Sequence, residues 1–267
     1  MDRGDGQGER DNVYIGAYKT TRISQGGGVS SYESRTGKTP INSASISNFR
    51  TWAQSMSGDT WCCDIATLIT IWMLYLVEFA SWDSQGKIGY GCSPSNAQSN
   101  TGACDSLPYH TGTSANNRST YGHVVYRYIE DLWANGFEGI DGIYKKASTS
   151  DWNFYIEKNP NNFNNSQNGT DSGMRWPEKT GHVFSQYKKP SVLGLEWLFL
   201  PTSWASDLAY SSYSCDSGEN NYRCTDYFFG ARYAQSQEFG LFYLEGKDPS
   251  TGGTQFNFRL MKLPANT

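Results

Sequence analysis

Clustered positive charge is the first thing this sequence lacks. Its 22 Lys and Arg are scattered and outnumbered by 26 Asp and Glu, for a net charge of −4. A protein that follows a phosphate backbone needs grouped Lys and Arg, so nucleic-acid binding is set aside as a class. Long hydrophobic runs are also missing. The longest, Ile65 to Ala80, contains Thr67, Thr70 and Glu78. A membrane span needs roughly 20 largely uncharged apolar residues, so this run reads as a core helix and no membrane partner is expected. Met1 to Asn12 is polar and Gly-rich, without the apolar segment of a secretion signal. It reads as a flexible lead-in, or the cut end of a longer protein, before a single domain over residues 13–267.

Local chemical signatures are scarce too. The six cysteines, Cys62, Cys63, Cys92, Cys104, Cys215 and Cys224, include no CxxC pair, which argues against a zinc site. Cys92–Cys104 and Cys215–Cys224 could close short loops as disulfides; without a secretion signal, free buried thiols are the favoured reading. Only three histidines occur, His110, His123 and His182, each in polar loop context. There is no GxSxG, HExxH, GxGxxG or Walker A sequence. A Ser/His/Asp or Cys/His site needs only that its members meet in space, which their order along the chain does not reveal. No catalytic residue, metal or cofactor is expected.

What is abundant is aromatic and small. Phe, Trp and Tyr make up 15% of the chain, with 18 Tyr and 9 Trp, beside 28 Gly. Tyr and Trp bury large area yet keep a polar handle, which suits a loop-rich domain with a contact surface. Ser45 opens a helix through Phe49, Trp52 and Ala53, spaced to share one face. Asp64 is a good N-cap for a second helix, Ile65 to Ala80, apolar nearly all round and so buried on most sides. Strands are expected at Val13–Tyr18, Trp152–Ile156, Leu193–Leu200, Phe239–Leu244 and Phe256–Leu260, with a helix or strand within Tyr121–Trp133. Phe242, Leu244, Phe256 and Phe258 are assigned to the core. The last two strands read as a firm pair around the turn-rich loop Glu245–Thr254. The long irregular stretch Ser81–Tyr121 reads as packed down by Tyr90, Tyr109 and Tyr121. Glu130, Asp131, Glu138 and Asp141 read first as turn caps, then as metal ligands, then as acid–base groups. The fold class is therefore α+β, with two main helices, short antiparallel sheets and abundant ordered loops.

The order of these segments resembles a known family. A capped apolar helix is followed by YRYIEDLWANGFEGIDGIY, a segment with Glu196-Trp197, GARYAQSQEFGLFYLEG, and FNFRLM. This resembles the C-type lectin fold domains related to the formylglycine-generating enzyme, in the branch used as variable proteins of diversity-generating retroelements. Gly230, Gly240-Leu241-Phe242 and Arg259-Leu260 match the family's closing pattern. The chain departs from it at Gly136 and Gly139, where bulky residues are common. The resemblance implies a C-type lectin fold and a phage or prophage tail protein, located on the virion tail or the bacterial cell surface.

The function so implied is non-enzymatic recognition of a host cell-surface protein or glycan through a variable C-terminal patch. The expected ligand-binding residues are Arg232, Tyr233, Gln235, Gln237, Glu238, Phe239, Tyr243, Glu245, Lys247 and Asp248, with Tyr222, Arg223 and Asp226 alongside. Their mix of Tyr, Arg and small polar side chains is that of an adaptable contact surface. Phe239 and Tyr243 serve equally well as core residues. Other tail subunits are further possible partners, including copies of the same chain. Two alternatives stay open: a formylglycine-generating-type oxidase acting through Cys215 and Cys224, whose spacing differs from that branch, and a purely structural virion protein.

Overall fold

The computed structural model describes residues 2–26, 28, 30–91, 98–113, 122–145, 153–166, 168–175, 183–205, 213–215, 226–231, 240–247, 252–254 and 256–265. In chain order the elements are β1 (Tyr14–Ile15), β2 (Thr20–Ser24), β3 (Ser30–Ser34), α1 (Ile46–Gln54), β4 (Thr60–Cys62), α2 (Ile65–Phe79), α3 (Ser84–Lys87) and β5 (His110–Gly112). There follow β6 (Val124–Tyr126), β7 (Ile129–Glu130), β8 (Gly136–Tyr144), β9 (Asn153–Ile156), β10 (Thr170–Arg175), β11 (Val183–Lys188) and β12 (Leu200–Ala205). The last are β13 (Tyr213–Cys215), β14 (Asp226–Ala231), β15 (Leu244–Lys247), β16 (Phe256–Asn257) and β17 (Leu260–Lys262). The protein is mixed α and β, with short and mainly antiparallel sheets. The largest runs β10-β9-β8-β14-β15-β13, with β16 parallel to β8; smaller sheets are β1-β17-β4, β5-β6-β7, β2-β3 and β11-β12.

Both main helices begin where their caps dictate. Ser45 and Asn48 exchange side-chain-to-backbone hydrogen bonds across the first turn of α1. Ile46, Phe49 and Ala53 then bury against Cys62 and Phe258. Asp64 Oδ1 accepts from the Thr67 N–H at 2.9 Å to open α2, and Ala80, left-handed at φ 46°, closes it. α2 is less enclosed than its composition suggests. Trp72 and Tyr75 are fully buried, but Met73, Leu74 and Val77 are exposed, Val77 by 87%. Its second half rests on the core through a single face. No described helix is long and apolar enough to cross a membrane.

Around α2 the core is aromatic. Trp72 and Tyr75 pack on Phe242 at 5.4 and 5.6 Å between ring centroids, and Trp72 Nε1 donates to the Leu241 carbonyl at 2.8 Å. That contact explains one departure from the expected strands. Leu241 and Phe242 form a turn that dips into the core, and the strand starts only at Leu244. A second departure is Leu193–Leu200. Gly194, at φ 82°, and the turn bonds Leu195 N–H to Val192 O and Leu198 N–H to Leu195 O coil it, and β12 begins at Leu200.

The two C-terminal runs are not a strand pair. β15 pairs with β14 and β13, whereas β16 pairs with β8 and β17 with β1 and β4. Phe242, Leu244, Phe256 and Phe258 are all buried, as expected, but so are Asn257 and Arg259 on the face that alternation makes polar. The reason is a buried ionic layer. Arg259 donates to Glu138 Oε1 and Oε2 at 3.0 Å each, to the Gly16 carbonyl at 2.9 Å and to the Glu130 carbonyl at 2.7 Å. Lys19 Nζ donates to the Gly136 carbonyl at 2.7 Å and lies 3.7 Å from Glu138. Beside them Asp141 accepts from Arg50 at 2.6 and 3.0 Å and from the Tyr144 hydroxyl at 2.7 Å. The lead-in is fastened too: buried Arg3 pairs with Asp64, and Arg10 donates to the Leu263 and Pro264 carbonyls.

Candidate functional site

Of the expected C-terminal patch, Asp226, Glu245 and Lys247 fall on two adjacent strands of the large sheet. In the β14–β15 register Asp226 lies opposite Lys247 and Phe228 opposite Glu245. On its other side Asp226 meets Tyr144 of β8. Phe229 and Leu244, in the same strands, are fully buried and anchor them. Asp226, Glu245 and Lys247 are thus neighbours in the sheet. Tyr243 is corrected: it is 1% exposed and stacks on Phe137 at 5.6 Å, in a small cluster with Phe256, so it serves the core. Tyr222, Arg223, Arg232, Tyr233, Gln235, Gln237, Glu238, Phe239 and Asp248 lie outside the described residues.

Of the cysteines, Cys62, Cys63 and Cys104 are free and buried, and burial pushes each thiol well up in pKa. A protonated, enclosed thiol is a poor nucleophile. Cys104, being free, is not bridged to Cys92. Cys215 sits in β13, while Cys92 and Cys224 lie outside the described residues.

A second group of side chains meets at the open end of the β6–β7 hairpin. Arg127 and Tyr128, both left-handed at φ 49° and 62°, make its two-residue turn. This brings His123, just before β6, against Asp131, just after β7. His123 Nδ1 is 2.7 Å from Asp131 Oδ2, and Asp131 Oδ1 accepts from the Val124 N–H at 3.2 Å. On the far side of the ring, His123 Nε2 is 2.9 Å from Ser99 Oγ. Ser99 is held by Asn135, which accepts from the Ser99 N–H at 2.8 Å and donates to its carbonyl at 3.0 Å. Asp131 is buried, while the His123 side chain is 16% exposed and Ser99 is partly exposed.

Burial alone would lower the His123 pKa, but the Asp131 carboxylate overrides it and holds the imidazole above its ordinary value. Glu130 is pushed up by burial and by Asp131 next to it. His123, Glu130 and Asp131 each offer a ligand atom within 4.8 Å of the others. Both Glu130 oxygens, however, already accept from the Gly102 and Cys104 N–H groups at 2.8 Å, and Asp131 is spent on Val124 and His123. The four clustered carboxylates therefore serve structure first, but Glu138 and Asp141 do so in buried ion pairs with Arg259 and Arg50 rather than as the expected turn caps.

Sequence reasoning passed over this arrangement. Eight positions separate His123 from Asp131, and the turn between them carries Arg-Tyr where Asn-Gly is the usual signal. Ser99 sits in a polar loop without periodicity. Comparison with protein-family models and with curated proteins finds no match for the chain.

Proposed function

We propose that this chain is a ligand-binding domain with the C-type lectin fold, the recognition tip of a phage or prophage tail protein. It contacts a host cell-surface protein or glycan through its C-terminal patch. The observation that carries this reading is the register that puts Asp226 opposite Lys247 and Phe228 opposite Glu245, on strands anchored by buried Phe229 and Leu244. Such a base lets rim side chains change at little cost to folding, since exposed substitutions typically stay within about 0.5 kcal/mol. Opposed charge in a segment whose sequence is rich in Tyr and Arg suits an adaptable contact surface.

The test is capture of bacterial envelope material on immobilised protein, using untreated, protease-treated and periodate-treated fractions to separate protein from glycan ligands. The Tyr233→Ala/Lys247→Ala double variant is expected to weaken capture at least about tenfold, the loss produced by 1.4 kcal/mol. Undiminished capture would remove the patch from the account.

A further inference from the structure

The contacts of His123 extend beyond what a structural histidine needs. One ring nitrogen faces a buried carboxylate at 2.7 Å and the other a serine hydroxyl at 2.9 Å. A nucleophile within reach of a base, itself oriented by a third group, is the geometric signature of activated nucleophiles. The serine is also firmly seated: Asn135 clamps both its N–H and its carbonyl. Asn135 and Asp131 are left-handed, at φ 57° and 59°, a conformation uncommon outside Gly although Asn and Asp tolerate it best. The buried Nε2 of Gln98, next to Ser99 in the chain, has no hydrogen-bond partner among the described residues.

We propose that Ser99, His123 and Asp131 form an acyl-transfer site that hydrolyses a carboxylic ester, on a different sheet from the C-terminal patch. Ser99 Oγ attacks the ester carbonyl while its proton passes to His123 Nε2. The tetrahedral intermediate collapses, the C–O bond to the alcohol breaks, and His123 returns the proton to the departing alkoxide. Water then attacks the acyl-Ser99 carbonyl and gives its proton to His123. The acyl–Oγ bond breaks, the proton returns to Ser99, and the carboxylic acid leaves. Asp131 is a positioning residue: it holds Nδ1 protonated so that Nε2 is free to accept. An ester fits better than an amide because its leaving group needs less help from a proton donor.

The test is an alkyl fluorophosphonate with the full chain, read by intact mass and peptide mapping. The expected adduct forms a P–O bond at Ser99 Oγ and releases fluoride. It is absent in Ser99→Ala and forms about 100-fold or more slowly in His123→Gln, the scale of lost general-base help. Hydrolysis of p-nitrophenyl acetate should follow the same order and rise with pH as His123 deprotonates. Ser99→Cys supplies a readout independent of turnover: its thiol should react with iodoacetamide about tenfold faster than in Ser99→Cys/His123→Gln. No adduct at Ser99, or equal thiol rates in the two variants, would overturn the assignment.

Discussion

Two halves of the interior solve the same packing problem with opposite chemistry. Around α2, Trp72, Tyr75 and Phe242 interlock as rings, and their polar tips are neutral: the Trp72 indole N–H donates to the Leu241 carbonyl and the Tyr75 hydroxyl to the Asp83 carbonyl. Around β8 and β17, Lys19, Glu138 and Arg259 are as deeply buried but charged. The aromatic half holds by removing apolar area from water, at about 25 cal/mol per Å². The ionic half starts from a desolvation deficit and recovers it only because its donors find partners. It is tuned rather than simply strong: burial pulls Lys19 down to about 8, despite the opposing pull of Glu138. The aromatic half should therefore tolerate imperfect fit, while the ionic half should fail sharply when one member is lost.

The largest effect is expected from Arg259→Met. It leaves Glu138 buried with Lys19 alone at 3.7 Å and orphans the Gly16 and Glu130 carbonyls, for a loss of about 3–5 kcal/mol in denaturant unfolding. Replacing Lys19, Glu138 and Arg259 together by apolar residues should recover much of that loss. A triple variant no better than the single would mean that the ionic layer stabilises outright.

Trp72→Phe comes next. It removes part of a ring system and leaves the Leu241 carbonyl without its donor, for about 2 kcal/mol. A loss matching that of Arg259→Met would erase the proposed contrast between the two halves.

The smallest effect is a pH dependence. The folded pKa of His123 lies above the ordinary value of about 6.5, because Asp131 outweighs burial. A raised histidine contributes its full stabilisation below the unfolded pKa and loses it as pH rises through the folded one. The melting temperature should therefore fall as pH is raised from about 6 upward, and His123→Gln should flatten that fall. Parallel curves for the two proteins would assign the dependence to other groups.

The parts of the fold legible in the sequence were those with local causes. Ser45 and Asp64 announced both main helices because a cap acts within one turn. Phe256 and Phe258 announced core because strand alternation is local as well. The parts that stayed hidden depend on distant partners. Arg259 reads as a solvent-facing residue until Glu138, 121 positions away, is known to face it. Leu241 and Phe242 read as strand until Trp72 is known to draw them into a turn. His123 reads as a loop histidine because Ser99 and Asp131 reach it through a polar loop and an unusual hairpin turn. For the C-terminal patch, pattern supplied a list of residues, and pairing supplied the adjacency of Asp226, Glu245 and Lys247.

The grip of Arg10 on the Leu263 and Pro264 carbonyls has a topological consequence. With β1 laid against β17, the two ends of the domain meet, and the polypeptide traces something close to a closed loop. A short linker could join them and a new opening could be cut elsewhere, for instance beside Leu193, which is 92% exposed. Every sheet would keep its neighbours, so a chain re-opened there is expected to keep the same strand pairings.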